Sequence, residues 1–282
     1  MTTVCLTFDF DAVSLWLSSF RTTSVTPVSR GEYGATVGLP RLLKLLDGKA
    51  VKATFFVPSH TAISYPAETR AIRDAGHEIA LHGYVHETPL GLDRDEEARL
   101  LDASIARLRK VLGNDFTPQG YRSPAWDLSV NTIDLLLERG LMYDSSMMGD
   151  DFRPYFARKG DQLDDESFRP GETSALIEMP VAWELDDFPY FTFLNKPLYS
   201  GLRDPAEVGR IWQSEFDYCH EEVEGGVFTL TTHPQIIGRG PRIRMLGALI
   251  DHMKSAGDVR FLTMAEAAGE ARSTLTAISS GH

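Results

Sequence analysis

Cysteine is scarce. Only Cys5 and Cys219 occur in 282 residues, which excludes a disulfide framework and leaves each thiol to pack as a small apolar side chain. Positive charge is also short: 28 lysines and arginines stand against 40 aspartates and glutamates, a formal net charge of −12. Phosphate backbones need a concentrated basic surface, so nucleic acid is excluded as a partner, and an anionic membrane surface is disfavoured. No apolar run approaches the ~20 residues of a membrane span. The opening MTTVCLTFDF has neither the basic nor the apolar region of a secretory leader. The expected compartment is therefore the cytoplasm, unless a leader was removed. Internal repeats, low-complexity tracts and a Gly-x-Gly-x-x-Gly after the first apolar run are all missing, so a dinucleotide fold has no support. What remains, 43% hydrophobic and 24% charged residues, suffices for a sizeable core, expected as one domain over residues 1–282.

Short runs of Val, Phe, Ile and Leu alternate with longer segments of helical period. Candidate strands are residues 4–10, 53–57, 78–81, 119–122, 142–145, 176–180, 226–231 and 259–263. Candidate helices are 40–46, 67–75, 94–112, 130–139, 205–223, 242–255 and 264–271. The fifth opens on Asp204-Pro205, an N-cap with a first-turn proline. Such alternation predicts an α/β fold with a parallel sheet, closed as a barrel or open and doubly wound. Residues 147–174 and 186–201 resist assignment and read as long loops. Within the second, FPYFTF (188–193) is aromatic enough to line a substrate pocket or a subunit contact.

Four clusters carry chemistry. In TFDFDA, Asp9 and Asp11 are two apart, so a strand points both the same way at its C-terminal end. Neighbouring carboxylates repel and require a cation or a proton; solvated turn aspartates are the competing reading. In GHEIALHGYVH, His82 and His86 are four apart, and a helical turn would let both grip one ion. With Asp11 as third ligand the set suits Zn2+, Fe2+ or Co2+ with positions open. His77 in the same stretch is taken as structural or exposed. In GYRSPAWD, Arg122 follows a strand and could hold a carboxylate ionised. In TLTTHPQIIGR, His233 stands after an apolar strand, where it could act as a general acid or merely cap a loop.

The ordered set TFDFDA, HGYVH, RSPAW, YDSS and LTTHP resembles the polysaccharide deacetylase (NodB-homology, carbohydrate esterase 4) family over residues 4 to about 237. The resemblance implies a distorted (β/α)7 barrel, related to the TIM barrel. It also implies Asp9 as general base, Asp11, His82 and His86 as metal ligands, and Arg122 as the group that tunes the base. Trp126 would contribute a backbone N–H to the oxyanion, Asp144 would orient the arginine, and His233 would be the general acid. Pro124, Trp126, Asp186 and Asp187 are expected at the substrate. Phe10 separates two aspartates that are adjacent in most of the family, and no tryptophan follows Asp144. That spacing is similar to a subgroup of Helicobacter-type peptidoglycan deacetylases, PuuE-like allantoinases and cyclic imide hydrolases.

The expected function is therefore metal-dependent hydrolysis of a non-peptide carbon–nitrogen bond. The ion is expected to be Zn2+, with Co2+, Ni2+, Fe2+ or Mn2+ as alternatives. The substrate is either an N-acetylated amino sugar, as in peptidoglycan, or a small cyclic imide, ureide or formyl amide. A metal-free glycosidase using Asp186 and Asp187 and a non-catalytic carbohydrate-binding barrel are the readings from other classes. The aromatic loop and the resembling subgroup add the expectation of a homo-oligomer, a dimer or tetramer.

Overall fold

The computed structural model describes residues 1–194 and 201–280. The strands in chain order are β1 (Thr2–Asp9), β2 (Thr54–Val57), β3 (Glu78–Leu81), β4 (Gly120–Tyr121), β5 (Tyr143–Asp144), β6 (Tyr155–Lys159), β7 (Gln162–Leu163), β8 (Phe168–Arg169), β9 (Glu172–Glu178), β10 (Val227–Thr232) and β11 (Val259–Phe261). Seven of them, in the order β10-β1-β2-β3-β4-β5-β9, pair in parallel as a curled sheet. β6 adds antiparallel to β9, and β11 lies on the first residues of β1. Among the described residues no ladder joins β9 to β10. One bridge, Asp186 to Thr231, spans that seam, so the barrel is distorted and incompletely closed.

The strands of the curl are buried on both faces, β9 only over its last three residues, which explains the near-continuous apolar runs. Val4, Leu6 and Phe8 of β1 pack outward with Leu39, Leu42 and Leu246 of the helix layer. Alternate residues point inward, because side chains switch faces at every position of a strand. There Cys5, Phe56, Ala80 and Tyr143 meet Met264, Ala267 and Ala268 of the C-terminal helix, Met264–Ser280. This helix plugs the lower end of the curl. Its first amides are satisfied from inside the sheet: Met264 N donates to Thr54 Oγ1 at 2.8 Å and Ala265 N to Glu78 Oε2 at 3.0 Å. A helix N-terminus favours such a carboxylate. Both cysteines are free and buried, as their scarcity suggested.

Residues 147–174 are not the expected loop. They hold β6 and the small β7–β8 hairpin. The signal is weak in sequence because β6 pairs with β9, more than ten residues on, and the intervening stretch is polar. Of the other unassigned segment, 195–200 lie outside the described residues, while Asp187–Phe191 is a short helix. Close packing above the sheet depends on missing β-carbons. A Cβ on Gly31 would meet Ala12 O at 2.4 Å, and one on Gly38 would meet Pro234 O at 2.2 Å. The segment 31–38 can therefore lie directly on the two loops that follow β1 and β10.

Candidate active site

The strand ends bring Asp9, Asp11, His82, His86, Arg122 and His233 together, all nearly excluded from solvent. Four of them, Asp9, His82, His86 and His233, line a cavity of about 170 Å³ whose walls also include Leu15, Phe20, Trp126, Trp183 and Phe188.

One flank is built on β1 and β3. Asp11 Oδ1 lies 3.5 Å from His82 Nε2 and 3.7 Å from His86 Nε2. These atoms form a group able to hold a metal ion. His82 Nδ1 donates to the carbonyl of Arg122 at 2.7 Å, so its Nε2 presents a lone pair. His86 Nδ1 is hydrogen-bonded to Ser19 Oγ at 2.8 Å. Burial lowers both imidazoles below the usual histidine value, and in His86 the neighbouring His82 adds to it. Neutral acceptors thus face a carboxylate oxygen that is buried and has no hydrogen-bond donor. Burial, with Asp9 and Asp186 nearby, pushes Asp11 up to about 8 despite His233 and Gln235. A divalent cation among the three would satisfy every one of these groups, so the residues fit the expected metal.

The pairing of the two histidines does not come from a helical turn. Residues 82–86 form a bend in which Gly83 and His86 take φ of 75° and 69°. Glu87 stabilises it by accepting from Tyr84 N at 2.8 Å and Val85 N at 2.6 Å. A non-glycine residue at positive φ is costly, and such residues persist where surrounding contacts hold them. Pro124 packs beneath this bend, against Gly83, and does not line the cavity as expected of a substrate contact. His77, away from the site, accepts from Ala53 N at 3.2 Å and is structural.

Asp9 sits beside the metal group. Arg122 Nη1 donates to its Oδ1 at 2.8 Å and to Thr7 Oγ1 at 2.9 Å, while the guanidinium lies 4.1 Å from the ring centre of Phe56. Burial alone would raise Asp9; Arg122, His82 and His233 together outweigh it and hold the carboxyl below its ordinary value. The group expected to orient Arg122 is displaced by one residue. Ser145 does it, accepting from Nε through its carbonyl at 3.1 Å and from Nη2 through its hydroxyl at 3.0 Å. Asp144 instead accepts from Ser146 Oγ at 2.8 Å and shares a hydrogen bond with Glu178. Strand alternation turns residues 144 and 145 to opposite sides, so only one of them reaches the guanidinium. Burial raises both Asp144, to about 6, and Glu178, and two facing carboxyls with no other donor on Oδ2 and Oε2 hold one proton between them.

The opposite flank crosses the seam. His233 donates from Nδ1 to Asp187 Oδ1 at 2.7 Å, and its backbone N–H reaches Asp187 Oδ2 at 3.1 Å. Its Nε2 then faces Asp9 Oδ2 at 3.9 Å and Asp11 Oδ2 at 3.7 Å. Burial opposes protonation, but Asp187, Asp186 and Asp11 raise His233 well above the usual histidine value. Asp187 is fully buried on the imidazole and does not line the cavity. Asp186 caps the short helix by accepting from Phe188 N at 2.7 Å, and it lines the cavity. With these carboxylates so engaged, the pair does not form the two-acid clamp of a glycosidase.

Trp126 lines the cavity and stacks on Trp183 with ring centres 4.2 Å apart. Its backbone N–H, expected at the oxyanion, is already donated to Ser123 O at 3.0 Å in the tight turn Pro124–Trp126, where Trp126 itself has φ of 58°. Ser19, Ser145, Asp187 as the histidine's partner, and Gln235, whose Nε2 lies 3.3 Å from Asp11 Oδ2, were not anticipated. YDSS and HPQ each held one of these beside a residue already singled out.

The family model for polysaccharide deacetylase matches residues 2–143. A peptidoglycan deacetylase of Helicobacter pylori is 35% identical over 275 residues, covering 93% of each chain. A solved structure from Mycobacterium smegmatis, assigned to the polysaccharide deacetylases, is 35% identical with a TM-score of 0.85, over 97% of this chain and 91% of that one. PuuE allantoinase shares the fold at 21% identity and a TM-score of 0.76, over 95% and 89%. The chain belongs to the polysaccharide deacetylase family, and it is an enzyme that hydrolyses amide bonds. The family is metal-dependent in general, which agrees with the group formed by Asp11, His82 and His86.

Proposed function

We propose that this chain removes N-acetyl groups from an amino sugar of the peptidoglycan type, with one divalent ion, Zn2+, on Asp11, His82 and His86. The observation that carries the reading is the arrangement around one cavity: an ion-holding group flanked by an ionised carboxylate on one side and a protonated imidazole on the other. When bound, the ion would polarise the amide carbonyl and acidify a water. Asp9, kept ionised by Arg122, takes a proton from the attacking water. His233, kept protonated by Asp187, gives a proton to the leaving nitrogen, which would otherwise depart as a poor leaving group. Trp126 and Trp183 form an apolar wall for the sugar ring. The reading treats the chain as a single catalytic domain, supported by one sheet running from Thr2 to Phe261.

A second substrate reading, a small cyclic imide or ureide, is favoured by the size of the cavity, about 170 Å³. Turnover of N-acetylglucosamine oligomers, succinimide and allantoin by metal-analysed protein, with and without chelator, decides between them. Loss of all turnover with chelator supports the ion; chelator-insensitive activity overturns it. Asp9→Asn is expected to keep its metal and lose about 10²–10⁴-fold in kcat; near-normal kcat would remove Asp9 as the base.

The reading further places the enzyme in the cytoplasm, supported by two free, buried thiols, and no helix of the described residues is long and apolar enough to cross a membrane. It also takes the protein as a homo-oligomer, supported by Phe193 of the aromatic segment, which is 36% exposed. Light scattering at the monomer mass of 31.4 kDa would contradict that.

A further inference from the structure

Outside the catalytic cavity a second cleft, of about 480 Å³, is lined by Arg30, Arg203, Arg239 and Arg242 together with Phe191 and Gln235. Arg203 has a carboxylate partner, Glu207 at 2.9 Å. The other three do not: among the described residues no carboxylate lies within ion-pair distance of Arg30, Arg239 or Arg242. They are held instead by rings and carbonyls. Arg30 lies 5.0 Å from the ring centre of Trp16 and donates to Phe193 O at 2.7 Å. Arg242 lies 4.4 Å from that of Phe191 and donates to Ile236 O at 3.2 Å. Arg239 covers Tyr33 at 3.9 Å.

Each guanidinium has five N–H donors, and these contacts leave most of them unused. Convergence of like charges is unfavourable. Burial, and then the repulsion of Arg239, lower Arg30; Arg242 is lowered by burial and by both other arginines, against Asp187. A chain with a net charge of −12 has no shortage of carboxylates to neutralise such a cluster, yet among the described residues none forms an ion pair with any of the three. Guanidinium groups fixed by stacking, with free forked donors, match the geometry of an oxyanion. Gln235 also lines the cleft, donates to Asp11 Oδ2 at 3.3 Å, and has a buried Oε1 with no donor. One side chain thus separates the cleft from a metal ligand.

We infer that the cleft between Arg30, Arg239 and Arg242 binds an oxyanion, a carboxylate or phosphate group, carried by the substrate or free in solution. The test is calorimetric titration of the metal-loaded protein with inorganic phosphate, in wild type and in Arg239→Gln. The Arg239 side chain is exposed, makes no hydrogen bond and only covers Tyr33, so its replacement is expected to leave the fold intact; Arg242→Gln provides a second variant. Phosphate is expected to bind wild type in physiological salt and to bind Arg239→Gln at least about tenfold more weakly, with turnover of a neutral amide unchanged. A KM for a carboxylate-bearing amide that rises in Arg239→Gln at constant kcat assigns the oxyanion to the substrate. An unmoved KM with lost phosphate binding assigns it to a free ligand. Equal phosphate binding by both proteins, binding that vanishes on chelation alone, or no binding by wild type would overturn the inference.

Discussion

On the β3 side of the cavity burial lowers His82 and His86 below the usual histidine value, while on the β10 side the equally buried His233 is raised well above it by neighbouring carboxylates. The difference lies at Nδ1. A backbone carbonyl and a serine hydroxyl meet the first two, and a carboxylate meets the third. A neutral partner fixes the ring's orientation and leaves Nε2 a lone pair for a cation. An anionic partner offsets the cost of burying charge and makes the same ring a proton donor. Two chemical roles for one residue type thus follow from what stands behind each ring.

The comparison can be broken most severely at Asp187. Asp187→Asn keeps an acceptor on Nδ1 but removes the charge, and kcat is expected to fall about 10²-fold. The sign of the pH effect follows from the raised pKa. An acid works only while protonated, so wild-type turnover falls as pH rises through the elevated value of His233. In the variant that value drops, and the alkaline limb of the kcat profile moves to lower pH. An unmoved limb would show that another group donates. Ser19→Ala touches only the other side. Metal affinity measured by competition with a chelating dye is expected to weaken about 10-fold, with kcat at saturating metal nearly unchanged. The smallest effect is expected at Glu178→Gln. Its amide supplies a permanent donor to Asp144, so metal content stays whole and kcat remains within about threefold. A larger loss would mean that the shared proton reaches the chemistry through Arg122.

Much of this site was legible from sequence. Asp9, Asp11, His82, Arg122 and His233 each end or follow an apolar run, and a parallel curl gathers strand ends. Their partners were harder to read. Ser145 rather than Asp144 reaches Arg122 because of which face residue 145 takes, and a two-residue strand carries almost no periodicity. Asp187 meets His233 across 46 residues of sequence, in a stretch where WELDD looks like solvated loop. The bend at residues 82–86 mimics helical spacing, since several backbone paths bring i and i+4 together. Boundaries of the long helices were clearest where caps were local: Asp93 accepts from Glu96 N at 2.9 Å and Asp204 from Ala206 N at 2.9 Å. The strand β6 was hard to read because only Ala157 of its five residues is buried, so no apolar run marks it.

The incomplete closure of the curl divides the machinery. The ion-holding residues hang from β1 and β3, tied to each other through the unbroken ladders of β2. The proton donor and its carboxylate stand on opposite lips of a fault line, pinned by the bridge at Asp186 and Thr231. Damage there should therefore silence the enzyme while its metal stays in place, so that metal content alone is a poor gauge of whether a variant of this protein is competent.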